Sequence, residues 1–173
     1  MTRDDREHPS DVRCRLATLA DVPELARMRW AFRAESGEVP RADEREFAAR
    51  YAAFVHDGLA SGDWAWWVAV DDDGRLVAHM AVCVVHGVPR PARACDQWGY
   101  LTDCYTRPAQ RGRGVGGALL AHVRAWAAAR DLELLVVWPS EASEGFYARA
   151  GFAPADDVRR LALRAYDAPP GTS

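Results

Sequence analysis

Between Arg111 and Gly117, four glycines (Gly112, Gly114, Gly116 and Gly117) fall within six positions. Stripping Cβ atoms from so short a turn lets a ligand approach the main chain closely. Val115, Leu119, Val123 and Trp126 then recur at spacings of 4, 4 and 3, which predicts an amphipathic helix opening from the turn. The first N–H groups of such a helix lack intrahelical acceptors and share the positive end of its dipole, a combination suited to phosphate. Arg107, Arg111 and Arg113 add full charges nearby. The first expectation is therefore a phosphate-bearing ligand at residues 111–117.

The elements that must position this turn can be read from the pattern. Val12 to Ala17 alternates as a strand, and Thr18 to Asp21 with Pro23 predicts a helix start running to about Ser36. Gly37 to Pro40 breaks it. A second helix from about Arg41 carries Phe47, Tyr51, Phe54, Val55 and Leu59 on one face, and Ser61-Gly62-Asp63 ends it. Trp64 to Val70 and Arg75 to Val85 form a predicted hairpin around Asp71-Asp72-Asp73-Gly74. Gly87 to Ala94 reads as a loop, Trp98 to Thr106 as a fourth strand, and Leu132 to Trp138 as a strand covered on both faces. Ser140 is placed to cap a short helix closed by Gly151, and Val158 to Tyr166 reads as a last strand. The result is one α/β domain on a mixed sheet, residues 11–167, between a disordered tail (1–10) and a frayed one (168–173).

Composition narrows the function classes. At 173 residues with 49% hydrophobic content, the chain can bury a core without disulfides or metals. A net charge of −3 argues against a nucleic-acid protein, and no apolar run approaches membrane-spanning length. All 22 basic residues are Arg, which removes the Lys that a nucleoside-triphosphate loop requires. Cys14, Cys83, Cys95 and Cys104 have no paired spacing, so free thiols and a cytoplasmic location are expected. His79 and Cys83 share a strand face without further ligands in view, and no metal is expected.

Residues 98–152 resemble the GNAT superfamily of N-acetyltransferases. One motif is Arg/Gln-x-x-Gly-x-Gly/Ala at a strand-to-helix junction, met by Arg111-Gly112-Arg113-Gly114-Val115-Gly116. The other is Phe-Tyr-x-x-x-Gly-Phe, met by Phe146-Tyr147-Ala148-Arg149-Ala150-Gly151-Phe152. The resemblance implies a central, mostly antiparallel mixed sheet of about six to seven strands with about four flanking helices. It implies acetyl-CoA as cosubstrate, its pyrophosphate held by the amides of Arg111 to Gly116, with Gly117 the last residue of the expected binding turn. It also implies a splayed strand at Cys104, Tyr105 and Thr106 pairing with the pantetheine arm, and Tyr147 facing the sulfur. An Asn common in the family seven residues before that tyrosine is Ser140 here, with a shorter reach to pantetheine. A homodimer is a common assembly of the family.

Acetyl transfer to an amine needs a neutral nucleophile, an oxyanion donor and help for the leaving thiolate. A tyrosine hydroxyl, with pKa of about 10, can donate a hydrogen bond to a thiolate of pKa about 8.5. Tyr147 is thus the expected catalytic donor. Asp103, the acidic residue nearest the splayed strand, is the expected base, with Glu144, Glu35 and Glu38 as further candidates. The expected activity is N-acetylation of a primary amine, small-molecule or peptide, in a ternary complex. The alternative is a catalytically silent CoA-binding module. Gly112-x-Gly114-x-x-Gly117 also fits a dinucleotide fingerprint, but the segment before it is polar and proline-broken rather than a buried strand. Trp64, Trp66 and Trp67 suggest an aromatic cage, with packing the blander use.

Overall fold

A computed structural model describes residues 12–38, 43–156, 158–159 and 161. Strands β1 (Arg13–Leu16), β2 (Trp64–Val70), β3 (Leu76–His86), β4 (Gln97–Thr106) and β5 (Leu135–Val136) form one sheet in that order. The first four pair antiparallel, and β5 runs parallel to β4. The helices are α1 (Val22–Glu35), α2 (Glu44–Ser61), α3 (Val115–Ala129) and α4 (Glu141–Arg149).

Local chemistry explains the boundaries. Asp43 caps α2 by accepting from the Glu46 amide at 2.7 Å, and Gly62 ends it at φ +76°. Gly74 (φ +78°) closes the β2–β3 hairpin. The sheet carries a helix pair on each face. Leu25 and Met28 of α1 and Tyr51 and Val55 of α2 pack with Trp66, Val68, Ala81 and Tyr105. On the other face, Val115, Leu119 and Val123 of α3 and Tyr147 of α4 pack with Met80, Val82 and Leu101.

The sheet has five strands among the described residues, against the six to seven expected. Most of the expected strand 158–166 lies outside the described residues, as do the tails 1–10 and 168–173 and most of the break after Gly37; residues 158, 159 and 161 hold no strand. The strand expected over Leu132–Trp138 is shorter. Leu132 still belongs to the closure of α3, its amide bonding Ala127 O at 3.0 Å after Asp131 turns at φ +58°. Nor is the strand covered on both faces, since Leu134 and Trp138 are 47% and 59% exposed.

β4 carries the irregularity that matters for the site. His79 pairs with Tyr105, but Ala81 pairs with Thr102, so two β4 residues, Asp103 and Cys104, oppose the single Met80 on β3. The extra residue makes a bulge, and Asp103 occupies it at φ +50°. As a result Asp103 and Tyr105 face α1 and α2, whereas Cys104 faces α3 and α4.

Candidate functional site

The glycine turn forms as its composition requires. Pro108–Gln110 make a short 3-10 turn after β4, then Gly112 (φ +76°) and Gly114 (φ +79°) alternate with their neighbours, and Gly114 caps α3. Both φ values strongly favour glycine. Gly116 matters for a different reason: a Cβ there would lie 3.5 Å from the Phe146 ring and from Thr106 Oγ1, so the start of α3 is close to both α4 and the end of β4. Val115 is buried in the core, leaving only its amide for a ligand. The three arginines do not converge on the turn. Arg107 binds Leu76 O and Glu24, Arg111 binds Thr106 O and Glu35, and Arg113 reaches Gln110 Oε1 at 3.1 Å. The turn's positive character therefore comes mainly from its amides and the helix dipole.

Beyond this turn the sheet opens. β4 and β5 are in register only at Gly99–Leu135 and Tyr100–Val136, yet β4 continues to Thr106. Cys104, Tyr105 and Thr106 thus lie on the length of β4 that extends past its pairing with β5. Tyr147 approaches from α4, 6% exposed, with its hydroxyl against the Cys104 thiol. Burial and that thiol raise the phenol above the ordinary tyrosine range. Burial likewise raises Cys104 to about 12, keeping it a neutral thiol.

The second motif has a structural reading. Phe152 N donates to Tyr147 O at 3.0 Å and Gly151 N to Ala148 O at 3.0 Å, with Gly151 at φ +90°. This is a Schellman closure, and the Tyr147 and Phe152 rings pack across it at 5.4 Å. Glycine and the second phenylalanine fix where the tyrosine stands. Ser140 occupies the N-cap position, but its hydroxyl faces that of Ser143 at 3.1 Å rather than capping an amide.

Asp103 lies at the centre of a buried polar cluster. Its carboxylate accepts from Arg29 at 3.0 Å and from the Tyr51 hydroxyl at 3.0 Å, and His79 Nε2 lies 3.1 Å away. That last approach is off the hydrogen-bond line, so both nitrogens of the fully buried His79 ring lack a well-aligned partner. Despite burial, which opposes ionisation, these neighbours hold the carboxyl far below its usual range. Such a group has little proton affinity. Glu35 is held by Tyr105 and Arg111 and is also lowered, Glu38 pairs with Arg33, and Glu144 sits in the first turn of α4. Arg29, Tyr51 and His79 escaped sequence reasoning. The available signal was a histidine inside the apolar run of β3, which reads on its own as a metal candidate; among the described residues no group of three His, Cys, Asp or Glu could hold a metal ion.

The tryptophans divide between the faces. Trp66 is buried, Trp64 packs on Phe54 at 5.0 Å, and Trp67 stacks on His122 from the other side. A concavity of about 630 Å³ between α3, β5 and the residues after α4 includes none of the residues expected to bind or react.

Residues 24–152 match the family model described as the acetyltransferase (GNAT) family. No curated protein matches the chain. Among solved structures, a predicted acetyltransferase with acetyl-CoA from Clostridium acetobutylicum is 22% identical, with a TM-score of 0.75 over 88% of this chain and 96% of that one. A GCN5-related N-acetyltransferase from Ralstonia eutropha JMP134 is 27% identical, with a TM-score of 0.69 over 87% and 98%. Glucosamine-6-phosphate N-acetyltransferase from Arabidopsis thaliana shares the fold at 14% identity, with a TM-score of 0.66 over 90% and 100%.

Proposed function

The chain belongs to the acetyltransferase (GNAT) family, and from that premise we propose that it transfers the acetyl group of acetyl-CoA to a primary amine by direct attack in a ternary complex. The observation that carries the proposal is the opening of β4 from β5, with a glycine-built helix start at one end and the buried Tyr147 beside its bulge. The amides of residues 111–117 hold the diphosphate, and β4 at Cys104, Tyr105 and Thr106 hydrogen-bonds the pantetheine arm through its main chain. The Ser140 hydroxyl, at the start of α4, is the side-chain group assigned to the pantetheine arm in this reading.

The acceptor arrives as an ammonium and loses a proton to water. Its neutral nitrogen attacks the thioester carbonyl, and a main-chain N–H near Tyr105 stabilises the oxyanion. As the C–S bond breaks, the nitrogen releases a second proton and the sulfur leaves as a thiolate. One of these protons ends on the sulfur. Tyr147 donates a hydrogen bond to the thiolate. Raising the phenol makes complete transfer of its proton to a thiol of pKa about 8.5 more uphill, so hydrogen bonding is its main contribution. Asp103, with its low proton affinity, serves better as the anchor of the bulge than as the base.

The retained phenol and open glycine turn favour this enzyme over a silent CoA-binding module. The test is thiol release from acetyl-CoA in the presence of primary amines, beside calorimetry with coenzyme A. Binding with amine-dependent thiol release is the expected result; a protein that ignores coenzyme A removes the proposal.

A further inference from the structure

The bulge in β4 decides which of the strand's main-chain groups face the cleft. The Gly99 amide points to β5, bonding Leu134 O at 2.9 Å. Backbone groups of successive strand residues point to opposite edges, so an unbroken strand would keep its odd-numbered residues facing β5. The extra residue reverses that order. Past it, Tyr105 is in register with His79, and the Arg107 amide bonds to Val77 O at 2.9 Å. Thr106, between them, therefore turns its N–H and C=O away from β3, toward the edge where pairing with β5 has ended. These are the groups that strand-like pairing with the pantetheine arm would use.

The Thr106 carbonyl is already engaged. Arg111 Nε donates to it at 2.9 Å, and the guanidinium lies over the Tyr105 ring, 5.5 Å from its centroid. The same guanidinium binds Glu35, the last residue of α1, through Nη2. The second Glu35 oxygen accepts from the Tyr105 hydroxyl at 2.6 Å. Burial opposes the charge on Glu35, but the bonds from Tyr105 and Arg111 hold its carboxyl below the usual range, so the pair is ionic at neutral pH. One carboxylate thus fixes Arg111 across the open edge of the strand.

An arm laid along that edge competes with this arrangement. Its amide N–H takes the Thr106 oxygen, and its chain needs the space that the guanidinium covers. Arg111 opens the diphosphate turn, so the incoming ligand also brings the guanidinium a replacement anion. Glu35 is the group that loses its cation in the exchange. The same carboxylate draws Arg111 back over Thr106 as spent coenzyme A departs.

We propose that Glu35 is a latch on the cosubstrate site: it holds Arg111 over the Thr106 carbonyl, and coenzyme A binds by breaking that hold. This rests on the acetyltransferase reading, and the experiment separates the two. Coenzyme A affinity is measured by calorimetry for the full-length protein, Glu35→Gln, Arg111→Gln and the double variant. Gln at position 35 keeps an acceptor for Tyr105 and removes the charge, and Gln at position 111 is a residue that the glycine motif itself admits. Expected is binding about three- to fivefold tighter in Glu35→Gln than in wild type, the size of a half-exposed ion pair. In the Arg111→Gln background the same change should leave the affinity unaltered. A distorted site binds more weakly, so the sign separates a latch from a brace that merely supports the strand. Unchanged or weaker binding in Glu35→Gln overturns the inference and leaves the cosubstrate assignment standing. Equal tightening in both backgrounds also overturns it, because that is general repulsion between a carboxylate and a polyanion. Failure of the wild-type protein to bind coenzyme A overturns both.

Discussion

The two faces of β4 are built on different principles. Toward α3 and α4, the candidate donor site uses main-chain amides, glycines that admit them, and one phenol held by a helix closure. Toward α1 and α2, the surface is all side chains: the Asp103 cluster at the bulge, then the Glu35 bridge between Tyr105 and Arg111. A backbone device depends on a few residue types at fixed offsets, so it leaves a sequence motif. A side-chain device is assembled from α1, α2, β3, β4 and the glycine turn, so its members share no spacing. The bulge joins them by sending Asp103 to one face and Cys104 to the other.

The comparison breaks most directly at Gly114. Its φ of +79° disfavours any side chain, although a Cβ there would meet nothing within 4 Å. Gly114→Val should therefore misdirect the first amides of α3 without overfilling a core, at a stability loss of about 1–2 kcal/mol. Coenzyme A affinity should drop by at least about a hundredfold in calorimetry, near 3 kcal/mol. Near-normal binding would mean that the turn's amides do not hold the ligand.

Next in size is the phenol. Tyr147→Phe should lower kcat roughly a hundredfold while coenzyme A affinity changes little, as expected for a group acting in the transition state. The pH dependence sharpens this. An alkylammonium of pKa about 10.4 must lose a proton, so kcat/KM should climb nearly tenfold per pH unit between pH 7 and 9. Because Tyr147 is raised above the usual tyrosine range, it remains a donor throughout that window, and no descending limb should appear below pH 10. A fall near pH 9 would point to a different acid.

The same contrast explains how much was legible. The glycine turn, its helix, the Phe-Tyr-x-x-x-Gly-Phe closure and the β2–β3 hairpin are local, and each is encoded in a short stretch. What escaped depends on register. One extra residue in β4 turns Asp103 inward, and nothing local distinguishes it from an ordinary strand acid. Its partners lie 74 and 52 residues away, at Arg29 and Tyr51. The arginines around the turn were misleading for a related reason: charge near a site in sequence was captured by Glu24 and Glu35 of α1. Leu132 to Trp138 is apolar enough for a buried strand, but helix closure takes its first residue and exposure its last.

The anchor of the bulge should be felt in stability. Asp103→Asn leaves Arg29 without its counter-charge beside a buried histidine, and should cost about 2–3 kcal/mol in denaturant unfolding, moderated because Arg29 is partly solvated. The sign with pH follows from the lowered carboxyl. Its stabilisation is complete above the unfolded value near 3.9 and is lost as pH falls toward the native value, which lies lower still. The difference between wild type and Asp103→Asn should thus be full at pH 7 and shrink only in strong acid. An equal difference at pH 7 and pH 2 would assign the cluster to packing rather than charge.

The smallest expected effect tests whether the bulge also serves the donor face. Cys104 bonds toward Thr102 O at 3.5 Å and meets the Tyr147 hydroxyl, so its thiol fixes the phenol's direction from below. Cys104→Ser keeps a group able to hydrogen-bond there, whereas Cys104→Ala keeps none. A loss of packing alone would affect the two alike, since both remove the sulfur. If orientation of the phenol is what the thiol supplies, Ala should lower kcat about three- to tenfold, about 1 kcal/mol, and Ser should restore most of it. Comparing each variant with its Tyr147→Phe double mutant then separates the roles, because a thiol that acts through the phenol has no further effect once the hydroxyl is gone. Additive losses in that cycle would detach Cys104 from Tyr147 and leave the two faces of β4 chemically independent.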